Sequence, residues 1–177
     1  MKTWLVAGLL AVAPAWAQEP KLNLNLDHLA AKAKNTVEVT LDASMLQFAS
    51  KFLSEKKPEE AEAKKLVAGL RHILVRAFEF DQPGQYAASD VEQLRSQLRS
   101  PEWSRIVNVR SKSDGENVDV FIRREGDQIG GLVVIAAEPR ELTVVSIDGP
   151  IRPEDLAKLG GQMGVPRIDI GSEKKKD

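Results

Sequence analysis

The residue types that most often carry chemistry are scarce in this chain and form no known catalytic set. The 177 residues include two histidines, His28 and His72, and no cysteine. Without cysteine the chain has no thiolate metal site, no disulfide and no cysteine nucleophile. The histidines lie far apart in the sequence, so they lack the close spacing of a helical metal site. We therefore expect neither a metal ion nor a cofactor.

Carboxylates are the remaining candidates for chemistry. Acidic residues cluster at two turns, Asp114 with Glu116 and Glu125 with Asp127. A calcium loop needs ligands at regular spacing over about twelve residues, so these short clusters are better explained as turn chemistry. Paired carboxylates also serve hydrolases, but most globular chains offer such pairs. The sequence contains no Gly-x-Ser-x-Gly motif for a serine nucleophile.

Basic residues are concentrated in the middle of the chain. The cluster comprises Arg95, Arg99, Arg105, Arg110, Arg123 and Arg124. Because acidic residues are interleaved with these arginines, we expect a solvated, ion-paired surface. The whole chain has 25 basic and 26 acidic side chains. This near-neutral balance argues against a broad surface for nucleic acid or an anionic membrane.

The first 17 residues have the pattern of a secretory signal peptide. Lys2 is followed by an apolar run at 4–12, and 15–17 is the small-residue site Ala-Trp-Ala. The run is too short for a transmembrane helix, and no cysteine follows it to carry a lipid anchor. The sequence therefore predicts an exported protein, periplasmic or secreted and soluble after cleavage.

The hydropathy pattern places these residues on an alternation of helices and strands. Residues 22–26 favour a short strand or edge segment, 27–34 a helix, 36–41 a strand and 72–80 another strand. A helix capped by Asp42 or Ser44 is expected to bury one stripe, namely Met45, Leu46, Ala49, Phe52 and Leu53. A second helix follows Pro58. A third begins at the capping box Ser89–Glu92 and buries Val91, Leu94 and Leu98.

From Trp103 the apolar residues recur at every second position, which predicts a four-strand meander. The expected strands are 103–112, 117–125, 128–138 and 141–148, and a short helix follows near Pro153. A four-residue turn at 113–116 would place Arg110 opposite Asp119, and two-residue turns follow at 126–127 and 139–140. Gly130 and Gly131 favour a bulge or a close helix approach. Trp103 is expected to anchor the core at one sheet edge.

These registers divide the apolar residues of the meander between two faces. One face comprises Val107, Val109, Val118, Val120, Ile122, Val133, Ile135, Leu142 and Val144. The other comprises Phe121, Leu132, Val134, Val145 and Ile147. Leaving the second group in water would cost about 1.5–3 kcal/mol per residue, so something should cover it. Two interpretations stay open: a helix of the same chain, or a partner that could be an envelope protein or a second copy.

Several segments resemble a bacterial family of exported proteins of unknown function, DUF4252. They are residues 37–41, 75–81, 103–107, 130–142 and 149–151, within a similar stretch that runs from about Leu26 to Val165. The resemblance implies an exported or envelope-associated domain. It also suggests envelope signalling, since genes of the family often neighbour sigma-factor and anti-sigma genes. Some members are lipoproteins, whereas this chain lacks the anchoring cysteine.

Together these patterns predict a signal peptide at 1–17, a single α+β domain at 18–170 and a charged tail at 171–177. The domain is expected to be a mostly antiparallel sheet with the C-terminal meander, packed by three or four helices. The expected function is a non-enzymatic binding module of the envelope, whose partner face is the group Phe121, Leu132, Val134, Val145 and Ile147. The alternative is a periplasmic hydrolase that uses carboxylates. We expect no nucleic-acid partner and no transmembrane span.

Overall fold

The computed structural model describes residues 22–152, which contain a six-stranded antiparallel sheet with helices on both faces. The helices are α1 (Asp27–Ala30), α2 (Ala43–Ser50), α3 (Pro58–Gly69) and α4 (Ala88–Gln97). The strands are β1 (Asn35–Asp42), β2 (His72–Glu79), β3 (Trp103–Arg110), β4 (Asn117–Glu125), β5 (Gln128–Glu138) and β6 (Glu141–Ile151). Their order across the sheet is β1-β2-β6-β5-β4-β3.

The predicted α+β class, antiparallel sheet and C-terminal meander are confirmed. The signal peptide, the short helix near Pro153 and the tail at 171–177 lie outside the described residues. Among the helices that are described, none combines the length and the apolarity needed to cross a membrane.

The N-terminal segment contributes to the core without forming the predicted strand. Residues 22–26 are irregular, and α1 is a single turn where a helix over 27–34 was expected. Leu24, Leu26 and Leu29 are nevertheless buried in the core. Their burial fixes the path of this segment over the sheet, because apolar contact stabilises it where regular hydrogen bonding does not.

The start of α2 is as predicted, but its buried stripe is not. Asp42 caps the helix by accepting a hydrogen bond from the backbone amide of Met45 at 2.9 Å. The helix ends at Ser50, so Phe52 lies beyond it and is 75% exposed. Met45 and Phe48 are exposed as well, and only Leu46 of the expected stripe is buried. The early end of α2 leaves Phe52 and Leu53 outside the helix, whereas Met45 and Ala49 lie on its exposed side.

The N-cap of the fourth helix lies two residues before the predicted one, Ser89. Ala87 is the N-cap, and the carboxylate of Asp90 accepts a hydrogen bond from the amide of Ala87 at 2.8 Å. Ser89 and Glu92 therefore do not form the box, because Ser89 already lies inside the first turn. Val91, Leu94 and Leu98 are buried as predicted, and their burial seats α4 on the sheet.

The register between β3 and β4 differs from the prediction by two residues. Arg110 lies opposite Asn117, and Asn108 lies opposite Asp119. The connecting loop, 111–116, is longer than expected, and within it the hydroxyls of Ser111 and Ser113 both donate to the carboxylate of Asp114. This shift of two residues keeps the side chains of 107–110 on their predicted face relative to β4. The bulge between Arg105 and Val107 makes the shift three residues for 103–105, so these side chains lie on the opposite face from the one predicted.

The register between β4 and β5 shifts by one residue, and this shift exchanges the faces of β4. Arg124 lies opposite Ile129 but Arg123 lies opposite Gly131, which leaves Gly130 as a bulge. The bulge predicted at these glycines is therefore confirmed. Side chains alternate along a strand, so a one-residue shift moves Val118 and Val120 to the face of Val134. The predicted grouping of those two valines with Val133 and Ile135 is wrong.

Two hydrophobic clusters result, one on each face. The α4 face, covered by α1, α4 and the N-terminal segment, buries Phe78, Phe80, Phe121, Val133, Ile135, Ala137, Leu142 and Val144. The α2/α3 face buries Leu46, Leu70, Val118, Val120, Ile129, Leu132, Val134, Ile147 and Ile151. Helix α2 packs against β1 and α3, and α3 packs against β6. The sheet is thus the central layer of the domain. The Gly130 bulge determines which β4 side chains lie on the α4 face and which on the α2/α3 face.

Candidate functional site

A buried carboxylate on the α4 face collects polar side chains from two other elements, α4 and β3. Asp119 of β4 is fully buried, and its Oδ2 accepts from Nε of Arg95 on α4 at 2.7 Å. Nη2 of Arg110 donates to both carboxylate oxygens at 3.1 and 3.2 Å. Nδ2 of Asn108 donates to Oδ1 at 2.6 Å, and Nη1 of Arg105 lies 3.5 Å from the same oxygen. Asp119 therefore fixes the positions of Arg95 and Arg110, and Arg105 lies at the limit of hydrogen-bond distance.

Local structure explains how these side chains meet. Asn108 lies directly opposite Asp119 in the β3–β4 ladder, and Arg110 is the next residue on the same face of β3. Arg95 lies one turn after Val91 and next to Leu94, both of which are buried. The apolar side of α4 therefore carries Arg95 down onto the sheet, where it reaches the carboxylate.

The environment of Asp119 stabilises the ionised carboxylate. Burial by itself raises the pKa of Asp119, because it removes the charge from water. Hydrogen bonds from Asn108, Arg95 and Arg110 outweigh that effect and hold the pKa below its ordinary value. Asp119 is thus a fixed negative charge at neutral pH, suited to orienting cations and not to donating a proton.

An open cavity of about 360 Å³ lies beside this cluster. Its lining residues are Glu92, Arg95, Leu98, Arg99, Arg105, Arg110 and Phe121. We call these residues, together with Asp119, the arginine pocket. Four arginines and two carboxylates give the pocket a net formal charge of 4 − 2 = +2. Arg99 pairs with Glu92 at the rim, whereas Arg105 meets Asp119 only at the limit of hydrogen-bond distance.

A second ionic cluster on the sheet has balanced charges. Asp148 pairs with Arg71, at 2.9 Å from its Nε, and with Arg123. Glu125 also pairs with both arginines, so two cations face two anions. The guanidinium of Arg123 lies 5.9 Å from the ring centre of Trp103, which packs against the core at the start of β3 as predicted. These contacts join the residue before β2 to β4 and β6, and in them two cations are matched by two anions.

A comparison with known protein families finds a match over most of the chain. Residues 30–159 match the model of a domain of unknown function, DUF4252. The chain belongs to the DUF4252 family. The resemblance noted in the sequence is therefore confirmed. No curated protein is significantly similar in sequence to this DUF4252 chain.

The five residues of the predicted partner face do not lie together in the DUF4252 domain. Phe121 is on the α4 face, where it lines the arginine pocket. The other four lie on the α2/α3 face, in the same cluster as Leu46 and Leu70: Leu132, Val134, Val145 and Ile147. The Gly130 bulge causes this separation, so the prediction that Phe121 shares a face with the other four residues is wrong. Whether any of the five residues contacts a partner stays a prediction.

The pocket itself is what sequence reasoning missed. For the four arginines that line it, the sequence predicts a solvated, ion-paired surface. The ion pairing is confirmed, but Asp119 has no exposed surface and the Arg95 side chain is only 19% exposed, so the expected solvation is wrong at the centre of the cluster. The i, i+4 spacing of Arg95 and Arg99 and the alternation of Arg105 and Arg110 with apolar neighbours were the available signals.

A row of carboxylates marks one end of the α2/α3 face. In the sheet Glu79 lies opposite Glu141, and Glu141 lies opposite Glu138. Burial, and then the charges of Glu141 and Glu116, raise the pKa of Glu138. All three strand glutamates are exposed. Within residues 22–152, no group of three histidine or carboxylate side chains is arranged to hold a metal ion.

Proposed function

We propose that this DUF4252 protein is an exported, non-enzymatic binding module and that its arginine pocket holds a small organic anion. The observation that carries the proposal is the convergence of four guanidinium groups on one open cavity that contains only two carboxylates. A site with surplus positive charge attracts anions and raises their local concentration. The role in envelope signalling is implied by the family resemblance.

The chemistry of the pocket indicates the class of ligand. Guanidinium groups bind carboxylates and phosphates through two parallel hydrogen bonds. Phe121 and Leu98 provide an apolar wall beside the cations. The volume lies within the range of about 300–1,000 Å³ that is usual for small-molecule sites. The fitting ligand therefore has a carboxylate or phosphate group attached to a compact apolar body.

The arginines differ in how strongly the protein already engages them. Arg95 and Arg110 make short bonds to Asp119 and are positioned by it. Arg105 is held only at 3.5 Å, and its side chain is half exposed. Arg99 is exposed at the rim and pairs with Glu92. Arg105 and Arg99 are thus the arginines with donors to offer, while Asp119 keeps the other two in place.

The hydrolase alternative is supported less well by the same geometry. Its chemistry needs a carboxylic acid that donates a proton beside a second carboxylate. Asp119 is surrounded by cations that keep it ionised, and Glu138, whose pKa is raised, lies on an exposed row of the sheet. The binding module remains the function that the pocket supports best.

Titration calorimetry of the purified protein tests the proposal, with phenyl phosphate and benzoate as probes. We expect saturable binding of at least one probe that weakens as salt is added. Arg105→Gln removes a charge-assisted hydrogen bond worth about 1.5–3 kcal/mol, so binding should weaken about tenfold or more. Glu92→Gln should tighten binding, because it raises the net charge of the pocket and releases Arg99.

The matched control is Arg124→Gln, which removes the same charge from an exposed position of β4 outside the pocket. It should leave the affinity nearly unchanged. Inorganic phosphate and benzyl alcohol separate the contributions of the anion and of the apolar wall. If neither probe saturates the protein, or if Arg124→Gln weakens binding as much as Arg105→Gln, the pocket is not the site.

A further inference from the structure

The two edges of the sheet differ in how readily they would accept another strand. Strand β3 forms one edge, and its ladder with β4 is interrupted by a bulge between Arg105 and Val107. Bulges at sheet edges twist the strand and hinder pairing with another chain. Strand β1 forms the other edge, and all eight of its residues pair with β2 without a shift. β1 therefore presents a regular edge along its full length.

The sequence of β1, Asn-Thr-Val-Glu-Val-Thr-Leu-Asp, contains neither proline nor lysine, two residues that often block an edge. Its charged residues are Glu38, which pairs with Arg76 of β2, and Asp42, which caps α2. Among the described residues, no strand pairs with its outer side. Val37, near its start, is 51% exposed. A partner strand would satisfy the free backbone groups and cover this valine.

We infer that β1 pairs antiparallel with β1 of a second copy, forming a twofold dimer centred on Val39. In this register Val37 lies opposite Leu41 of the second copy, and Glu38 lies opposite Thr40 of the second copy. Thr36 lies opposite Asp42 of the second copy, where a hydroxyl meets a carboxylate. Each pair therefore matches apolar with apolar or acid with hydroxyl. A twofold axis requires such a self-complementary surface.

The neighbouring registers are less favourable. Centring the axis on Glu38 would place two carboxylates directly opposite, and centring it on Thr40 would place Glu38 opposite Asp42. Like charges in opposed positions destabilise a sheet. A slip of one residue would turn the apolar side of the second copy to the wrong face. Charge repulsion and the need to keep the apolar side chains on one face therefore both favour the register centred on Val39.

In such a dimer, valines of the α2/α3 face would form one continuous row across the sheets of both copies. In each copy one row crosses all six strands and contains Val39, Val75, Val145, Val134, Val120 and Val107. An axis perpendicular to the sheet joins the two rows at Val39. It also brings the two α2 helices, which pack on β1, to the same side of the seam. In each copy the exposed Phe48 of α2 and Phe52, just after its end, would then flank the new interface.

Sedimentation velocity over a range of protein concentrations tests this dimer. Thr40 is exposed and would face Glu38 of the second copy twice in each dimer. Thr40→Glu should weaken dimerisation at least tenfold, and Thr40→Lys should strengthen it in a manner that salt reverses. Glutamate and lysine carry opposite charges and are both poor strand formers, so a general loss of strand propensity would weaken dimerisation in both variants. Circular dichroism establishes that each variant is folded.

Substitutions at the opposite edge serve as the control. Ser104→Glu and Ser104→Lys change β3 at an exposed position before its bulge and should leave the dimerisation constant unchanged. A protein that is monomeric at every concentration overturns the proposal. So does a dimer whose stability responds to Ser104 and not to Thr40, or one that Thr40→Glu and Thr40→Lys weaken equally.

Discussion

Helices cover both faces of the sheet, but the two faces bury different kinds of residues. The α4 face interleaves apolar side chains with charged ones, since Phe121 and Ile135 have Asp119 and Arg105 as neighbours. The α2/α3 face instead carries a row of six valines, and its row of carboxylates lies at one end of the sheet, outside the apolar rows. Buried charge requires partners in fixed positions, whereas apolar contact has no direction. The first face is therefore the one on which we place the proposed anion site.

Removing the buried carboxylate should have the largest effect on stability. Asp119→Asn leaves Arg95 and Arg110 without their anion, so we expect the free energy of unfolding to fall by about 4 kcal/mol at neutral pH. Because the folded pKa of Asp119 is lowered, its stabilising effect is complete above the unfolded value of about 3.9 and disappears as the pH falls through the folded value.

Urea unfolding of both proteins, from neutral pH to about pH 3, measures this effect. The difference between wild type and Asp119→Asn should shrink in acid. Asp127→Asn, at an exposed turn, is the matched control and should stay within about 0.5 kcal/mol of the wild type. A constant difference across the pH range would mean that packing, and not charge, accounts for the role of Asp119.

On the α2/α3 face, the loss of stability on truncating a side chain should depend only on how deeply that side chain is buried. Leu132 is 6% exposed and Val37 is 51% exposed. We expect Leu132→Ala to cost about 3 kcal/mol because it leaves a cavity, and Val37→Ala to cost less than about 0.5 kcal/mol in the monomer. Neither difference should vary with pH, unlike that of Asp119→Asn. Chemical denaturation at dilute protein concentration provides the measurement, and equal costs would contradict the assigned burial.

The smallest effect is expected at the row of carboxylates. Since the pKa of Glu138 is raised in the folded protein, its ionised form reduces stability above that value and has no effect when protonated. Glu138→Gln should therefore raise the free energy of unfolding at neutral pH, by less than about 0.5 kcal/mol because solvent screens an exposed charge. In acid the gain should vanish. Thermal unfolding at both pH values tests this, with the exposed Glu102→Gln as a control that should change neither.

Sequence patterns were most informative where local spacing decides the structure. The alternation of apolar residues located β3 to β6, and the turn at 139–140 placed Ile135 opposite Val144 as observed. Helix spacing located α4 and its buried Leu94. These features depend on neighbours within a few residues, so the sequence contains the information directly.

Prediction was poorer wherever one irregular residue controls many others. Gly130 suggested a bulge, but the sequence does not say how that bulge changes the pairing of β4 with β5. Without that shift Phe121 was assigned to the wrong face, and Asp119 was not recognised as buried. Arg95 approaches Asp119 from a helix 24 positions earlier in the chain, a contact that no local pattern indicates.

The sequence by itself determined the elements and their order, because hydropathy spacing and turn residues act over short distances. Only the tertiary structure decided which arginines surround a common carboxylate and which edge of the sheet is regular. The physical reason is the two-residue period of a strand: one unpaired residue exchanges its faces, and every contact across the layers then changes. The arrangement of charge around Asp119 follows from that exchange and from the docking of α4.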